Sequence, residues 1–333
     1  MHHKRTCLIL GAMALVLTSC KTQNSESQVV SQRYIHKYGY SISQEEWETK
    51  NYPGQIISTM RDGVTIAANY ENGVQHGPCT YTFPHSQTIQ SFYFYNQGNL
   101  VKQILYDEKG MPIKEKLQLS PTRFALTLWY SDGTPASVEE FISNELIEGE
   151  YYNLSNETEA KVEKGFGKRT VRDREGTLIS KDEIASGYLS RQETFYSTGS
   201  PEAIIYYHLG TLHGQKQLFT KAGEPLAIEE YKDGALHGVS TYFKNGVRSV
   251  EVSYENGKKE GIERHYLDGE SVSQLIHWSQ DQRHGETVFY VEGVPYVEWY
   301  YSGEVVSQEK FEELYSLDEM IANAYRETNT RIR

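Results

Sequence analysis

The sequence predicts an all-β fold, an elongated single-layer antiparallel meander of about eleven β-hairpin repeats with a short C-terminal helical cap. Composition is the first observation behind this prediction. The 333 residues include 26 tyrosines, which favour strands, and only 38% hydrophobic residues, few for a large closed core. The second observation is a series of glycines at steps of 23 or 24 residues, which runs through Gly176, Gly199, Gly223, Gly246, Gly269 and Gly293.

The N-terminus has the organisation of a bacterial export signal. Lys4 and Arg5 precede an apolar stretch, residues 6–17, that is too short to span a bilayer as a helix. The stretch ends in Leu17-Thr18-Ser19-Cys20, which resembles the lipobox of bacterial lipoproteins. The resemblance implies that residues 1–19 are a signal peptide and that acylated Cys20 anchors the mature chain to a membrane. A secretory peptide without acylation is the alternative.

Two segments separate the anchor from the repeats. Residues 20–32 are polar and rich in Ser and Gln, as expected of a flexible tether. Lys21 follows the cysteine, where an Asp would indicate retention in the inner membrane, so we expect the outer membrane if the cell is Gram-negative. Residues 33–60 are expected to form an N-terminal cap, in which Ser43 and Glu46 make a capping box for a short helix.

The repeat array is expected to extend over residues 61–303 and to be most regular over residues 187–303. A second series of turn residues alternates with the first and includes Gly73, Gly187, Gly210, Gly234, Gly257 and Asp281. Several turns are dipeptides that accept the positive φ of tight hairpins. They are Asn72-Gly73, Asp233-Gly234, Asn245-Gly246, Asn256-Gly257 and Asp268-Gly269.

A longer motif surrounds some of these turns and ends in another glycine. The segments YENGVQHG, YKDGALHG and YENGKKEG end at Gly77, Gly238 and Gly261, and a partial copy ends at Gly214. They resemble MORN-variant repeats, whose pattern is Tyr-x-x-Gly-x-x-x-Gly. The resemblance implies a meander of hairpins in one twisted sheet that acts as a surface, tether or scaffold. Bacterial members of this family often carry the label of an antitoxin component.

Tyrosines recur at a fixed offset from the first glycine series. Tyr207, Tyr231 and Tyr254 each lie eight residues after one of its members. Tyrosine offers a large contact area and is enriched at the hot spots of interfaces. These three residues are therefore our candidate contact surface for a protein or glycan partner. The alternative is that the rings only pack against their neighbours in the sheet.

Charge and motifs argue against several other functions. The net charge is −12, and residues 187–311 hold eleven Lys or Arg against eighteen Asp or Glu, so we expect no nucleic-acid partner. The sequence lacks the common zinc, phosphate-loop and nucleophile motifs, so we expect no metal, no cofactor and no enzymatic activity. The many Asp and Glu side chains are interpreted as a solvent-exposed acidic face and not as catalytic pairs. A repeated histidine is interpreted as a turn residue, with a metal ladder as the alternative, at His76, His213, His237 and His284.

The C-terminal residues 304–333 are expected to form a helical cap and tail. Ser316 and Glu319 have capping-box spacing, and Leu317, Met320, Ile321 and Ala324 fall on one helical face. This helix either covers the end of the array or recruits a partner.

The favoured function is that of a lipoprotein of the bacterial cell envelope, which binds or organises a partner through its repeat sheet. A periplasmic antitoxin or immunity-like protein is the alternative, and a hydrolase with an unrecognised site is a third hypothesis.

Overall fold

The computed structural model describes residues 28–330, apart from some side chains near the end of the last helix. Its 26 strands belong to one antiparallel sheet in meander order, and 63% of the described residues are in strands. The all-β prediction and the repetition of hairpins are confirmed. The signal peptide and Cys20 lie outside the described residues.

The strands follow the two series of turns. Their bounds are β1 (Val29–His36), β2 (Ser41–Ile42), β3 (Gly54–Met60), β4 (Thr65–Glu71), β5 (Val74–Thr82), β6 (Ile89–Asn96), β7 (Asn99–Tyr106), β8 (Pro112–Gln118), β9 (Arg123–Trp129), β10 (Pro135–Ile142), β11 (Glu145–Tyr152), β12 (Thr158–Glu163), β13 (Phe166–Arg172), β14 (Leu178–Ala185), β15 (Tyr188–Phe195), β16 (Pro201–His208), β17 (Thr211–Phe219), β18 (Pro225–Lys232), β19 (Ala235–Leu236), β20 (Gly238–Lys244), β21 (Val247–Glu255), β22 (Lys258–Tyr266), β23 (Val272–Ser279), β24 (Gln282–Val291), β25 (Val294–Tyr301) and β26 (Glu304–Val306). Two helices are present among the described residues, α1 (Gln44–Lys50) and α2 (Gln308–Thr330).

The chain divides into two compact units. The first runs to Val101 and includes Glu108–Gly110, and the second comprises Lys102–Asp107 and the chain from Met111 onward. In the first unit, β1 begins at Val29, inside the segment that the sequence places in a polar tether, and it pairs with both β2 and β3. The sheet therefore starts earlier than its turn signals indicate.

Helix α1 caps the first unit. Ser43 and Glu46 form the predicted capping box, in which the Ser43 hydroxyl accepts the backbone N–H of Glu46. The Trp47 ring packs against Tyr34 and Tyr70, with ring centroids 5.7 and 5.9 Å away. The helix thus covers one face of the sheet through a single aromatic side chain.

The tight turns require residues with positive φ. In the turn between β20 and β21, Asn245 and Gly246 have φ of +51° and +74°, the conformation that type I′ hairpins need. The pair Asp268-Gly269 behaves differently, because only Gly269 has positive φ. The Asp268 carboxylate accepts the N–H groups of Glu270 and Ser271, which holds a longer turn.

Turns of the second series are joined to one another by backbone hydrogen bonds. The N–H of Gly234 donates to the carbonyl of Leu212 at 2.8 Å, and the N–H of Gly257 donates to Leu236 at 2.8 Å. In each case the acceptor lies two residues after the preceding glycine of the series. Asp281 takes the place of glycine in this series and donates in the same way to Lys259 at 3.1 Å. Backbone contacts therefore hold successive hairpins in phase.

The last glycine of the longer motif forms a β-bulge. Between β21 and β22 the register passes from Val252↔Glu263 to Tyr254↔Lys259, so that several residues around Gly261 oppose Ser253 alone. The same shift occurs around Gly77 and around Gly214. Bulges increase the local twist of a sheet, and Gly77, Gly214 and Gly261 supply the positive φ at these bulges.

The second unit contains a buried core that its composition does not suggest. Leu146, Tyr151, Val162 and Ile184 form an apolar cluster, and each is at most 5% exposed. The N–H of Leu146 donates to the carbonyl of Gly187, in the turn after β14, at 3.0 Å. This hydrogen bond joins the start of β11 to the turn after β14, so the sheet curls between β11 and β15.

The start of α2 differs from the prediction. Helix α2 begins at Gln308, and Ser307 is its cap, since its hydroxyl accepts the N–H of Lys310 at 3.2 Å. The predicted start at Ser316 is wrong, because that serine lies in the interior of the helix. Within residues 28–330, no helix is long and apolar enough to cross a bilayer.

Candidate binding surface

One face of the sheet in the second unit carries a continuous row of paired side chains. Cross-strand pairing connects Asp182 in β14 with Glu298 in β25, and the step from Glu229 to Ser240 continues the register of the neighbouring pair Ile228↔Thr241. Residues directly opposite one another share a face, so we name this face the front face. Its central row is Asp182, Gln192, Ile205, Lys216, Glu229, Ser240, Val252, Glu263, Ile276, Thr287 and Glu298.

The three candidate tyrosines all lie on the front face. Tyr207, Tyr231 and Tyr254 each follow a member of the central row by two residues, and a step of two along a strand keeps the face. Trp278 and Tyr300 have the same offset from the central row. We call these five rings the aromatic row, and its members stand on alternate strands, roughly 10 Å apart.

Glycines lie opposite the rings of the aromatic row. Tyr231 pairs with Gly214, and Tyr254 pairs with Gly238. Trp278 and Tyr300 likewise pair with Gly261 and Gly285. Glycine has no side chain, so successive rings are separated by open positions. The aromatic row is therefore a series of separate rings and not a continuous stack.

The hydroxyls of Tyr207, Tyr231 and Tyr300 donate to polar groups of the central row. Tyr207 donates to Gln192 at 3.2 Å, and Tyr231 donates to Glu229 at 3.1 Å. Burial, followed by the nearby Glu229 carboxylate, raises the pKa of Tyr231 to about 12. Burial also raises the pKa of Tyr207 and of Tyr254. These phenols therefore stay protonated and neutral at physiological pH.

Charged groups beside the rings occur in opposite pairs. Lys216 contacts Glu229 at 2.9 Å, and Lys259 contacts Glu263 at 2.6 Å. Burial opposes the charge of Glu263, but the hydrogen bonds from Lys259 and His265 lower the pKa of this carboxyl below its usual value. The Lys259 ammonium also lies 4.4 Å from the ring centroid of Trp278. The front face thus holds half-buried aromatic rings among locally balanced charges, and Glu263 itself is buried.

The first unit contains a counterpart that is covered. Tyr70 occupies the position in YENGVQHG that Tyr231 occupies in YKDGALHG. The ring of Tyr70 packs under Trp47 of α1. In the second unit, α2 instead packs its Phe311 on the opposite face, against Trp299, with ring centroids 5.0 Å apart.

The sequence did not reveal two residues of the aromatic row or a buried ionic cluster. Trp278 and Tyr300 continue the series of Tyr207, Tyr231 and Tyr254 at steps of 22 to 24 residues, and this regular spacing is the sequence signal that could have identified them. The expectation that carboxylates lie on a solvated face is wrong for Asp182 and Glu139, which are 1% and 7% exposed. Asp182 and Ile184 are two residues apart in β14, so their side chains lie on the same face of the sheet. An apolar residue at this spacing was the signal in the sequence that Asp182 is buried. These enclosed carboxylates lie beside the Arg169 guanidinium, and the end of the central row at Asp182 is therefore not part of the candidate contact surface.

Three of the four repeated histidines, His76, His213 and His284, support turns through Nδ1. Nδ1 of His76 accepts the backbone N–H of Gln97 at 3.2 Å, and Nδ1 of His284 accepts that of Ser302 at 3.3 Å. Both donors lie in the next turn of the second series, which agrees with the interpretation as turn residues. Across the described part of the chain, no group of three or more His, Cys, Asp or Glu is arranged to hold a metal ion. Cys79 is a free, buried thiol in β5.

Comparison with models of known protein families gives no match, and comparison with curated proteins gives none either. The similarity to MORN-variant repeats therefore remains an interpretation of the motifs.

Proposed function

We propose that this protein is a lipid-anchored binding protein of the bacterial cell envelope, and that its aromatic row is the contact surface for a protein or glycan partner. The observation that supports the proposal is the arrangement of five rings in register on one face. The equivalent ring in the first unit, Tyr70, serves to pack α1, whereas the rings of the second unit have no helix above them among the described residues. Tyr207, Tyr231, Tyr254 and Trp278 are half-buried, which leaves part of each ring for contact with a partner, whereas Tyr300 is buried.

The chemistry of the front face favours this class of partner. Rings that alternate with paired charges, such as Lys216 with Glu229, offer apolar contact and hydrogen bonds without a strong local field. A polyanion gains affinity from unpaired lysines and arginines and is repelled by a chain of net charge −12. A protein surface or a glycan gains affinity from ring contacts and neutral donors.

The spacing of the row suits an extended partner. A partner that lies across the strands meets one ring on every second strand, roughly every 10 Å. Each ring contributes a modest share of the binding energy, and several rings together hold the partner in one orientation. The lipid on Cys20 then keeps the partner at the membrane, which gives the protein the role of a scaffold.

The test replaces Tyr207, Tyr231 and Tyr254 together by alanine in the full-length protein. Circular dichroism establishes that the variant is folded, and chemical cross-linking in intact cells followed by mass spectrometry measures partner capture. We expect capture to be lost.

The matched control replaces three tyrosines of the opposite face, Tyr206, Tyr266 and Tyr290, by alanine. This control should capture the partner like the wild type. If the folded front-face variant captures as much partner as the wild type, the aromatic row is not the binding surface.

A further inference from the structure

The first unit shows what occupies the gap between two rings on this kind of sheet. Tyr34 in β1 and Tyr70 in β4 stand on alternate strands, because β3 pairs with both strands and lies between them. Trp47 of α1 packs against both rings, at centroid distances of 5.7 and 5.9 Å. Both distances lie within the range of favourable contacts between aromatic rings. One aromatic side chain, carried on a short helix, therefore connects the two tyrosines.

The strand between those two rings has a simple composition. Ile56 of β3 lies opposite Tyr34, and Gly54 lies opposite Tyr70. Residues directly opposite share a face, so an aliphatic side chain faces one ring and a glycine, which has no side chain, faces the other. We define an aromatic slot as two rings on alternate strands with such an aliphatic residue and such a glycine between them.

The second unit repeats this arrangement between Tyr207 and Tyr231. Strand β17 places Leu212 opposite Tyr207 and Gly214 opposite Tyr231. Both tyrosines are half-buried, and no helix covers them among the described residues. The slot that Trp47 fills in the first unit is therefore present in the second unit without an aromatic residue from this part of the chain.

The ring of Tyr231 also borders a second aromatic slot. Leu236 in β19 lies opposite Tyr231, and Gly238 in β20 lies opposite Tyr254. The two slots thus share one ring and lie side by side on the front face. Neighbouring strands are about 4.8 Å apart, and each slot takes up two strand spacings, so the slots are separated by roughly 10 Å.

Lysines distinguish these two slots from the next gap in the row. Between Tyr254 and Trp278, Lys259 takes the aliphatic position opposite Tyr254, and its ammonium lies 4.4 Å from the centroid of Trp278. This gap is filled by the lysine side chain. Lys216 approaches Tyr231 only to 5.8 Å, and its ammonium is held by a carboxylate at 2.9 Å. Two adjacent slots are therefore available to a partner.

We propose that these two slots receive two aromatic side chains from one helix of a protein partner. An α-helix rises about 1.5 Å per residue, so residues seven apart are about 10.5 Å apart and lie on one side of the helix. The spacing of the slots thus selects a helix with Trp, Phe or Tyr at two positions seven residues apart, which docks in the manner of a helix in a groove. This inference rests on the proposed function and specifies its partner as a protein helix.

The experiment uses the full chain and a synthetic helical peptide of three heptads (about 21 residues) with no net charge. The peptide carries two Trp residues seven positions apart. A control peptide of the same composition carries them five positions apart, which places them on different sides of the helix. Fluorescence anisotropy of the labelled peptides measures both affinities. We expect the first peptide to bind about tenfold more tightly or better.

Matched variants assign binding to the slots. Tyr231→Ala removes the ring that both slots share, and it should weaken binding of the first peptide about tenfold or more. Tyr231→Phe keeps the ring and should bind like the wild type. Tyr206→Ala removes a ring of the opposite face that is 40% exposed, and it should also bind like the wild type. Circular dichroism establishes that each variant is folded, and the comparison of the two peptides needs only the wild type.

The proposal is overturned by equal affinity of the two peptides, because the slots would then impose no spacing. Equal binding of the first peptide to wild type and to a folded Tyr231→Ala variant would also overturn it. Binding of a soluble chitin oligosaccharide that Tyr231→Ala abolishes, without binding of either peptide, would mean that the partner is a glycan. In that case, partner capture in cells would still depend on Tyr207, Tyr231 and Tyr254, whereas failure of the proposed function removes that dependence.

Discussion

The guanidinium of Arg169 lies 2.7 Å from a carboxylate oxygen of Asp182, whose side chain has no exposed surface. The two residues are directly opposite in β13 and β14. The Gln192 amide donates to the same carboxylate at 3.2 Å and accepts from the Tyr207 hydroxyl. The buried ion pair is therefore connected to the first ring of the aromatic row, so that stability and the candidate binding surface share one network.

Replacement of Asp182 by Asn should strongly destabilise the protein. The change leaves the Arg169 guanidinium without its nearest opposite charge, and the loss of one partner from a buried pair costs about 3–5 kcal/mol. Urea unfolding followed by circular dichroism measures the change in the free energy of unfolding. Glu150→Gln, which removes an exposed ion pair with Lys161, is the control and should be close to wild type. Similar values for the two variants would contradict a structural role for the buried pair.

The raised pKa of Tyr231 should make the folded protein less stable at high pH. Its pKa is about 12 in the folded protein, against about 10 for an unfolded tyrosine. The unfolded chain therefore loses this proton first, and the free energy of unfolding should fall as pH rises from about 10 to about 12. Tyr231→Phe should lessen that fall, as measured by urea unfolding at a series of pH values. An unchanged slope in the Phe variant would show that the hydroxyl is not in the environment described.

Substitution at Gly246 should be limited by backbone strain and not by lack of space. A Cβ at this position would lie 3.8 Å from the Glu224 side chain, which is ordinary contact, so space does not limit the substitution. The φ of +74° is strained for valine, and Gly246→Val should cost roughly 1–2 kcal/mol of stability. Gly246→Asn should cost less, because asparagine accepts positive φ. Thermal unfolding of both variants decides the point, and a valine variant as stable as the wild type would refute it.

The lipid anchor is tested at Cys20. Cys20→Ser removes the thiol that would be acylated, so the variant should incorporate no labelled palmitate and should leave the membrane fraction. Cys79→Ser is the matched control and should keep both properties, because this thiol is buried in the sheet. A Cys20 variant that is labelled and sediments with membranes like the wild type would exclude the lipoprotein hypothesis.

Local signals located most of the hairpins and the first helix. Gly246 and its counterparts mark turns because positive φ is a requirement of a few neighbouring residues, whatever the rest of the chain does. Ser43 and Glu46 predict α1 correctly for the same reason, since a capping box closes within one helical turn. Ser316 misled, because its spacing to Glu319 fits a cap while Ser307, without that partner, is the cap that forms.

The sequence by itself therefore determined the phase of the hairpins, the face of Tyr207, Tyr231 and Tyr254, and the acidic character of the chain, because periodicity and charge are local or additive properties. The tertiary structure alone decided which of these residues are covered. Asp182 is enclosed because the sheet curls over it, and Tyr70 is covered because α1 packs across its strand. Burial depends on contacts between residues far apart in the chain, and the same motif therefore packs under a helix in one unit and carries half-buried rings, with no helix above them among the described residues, in the other.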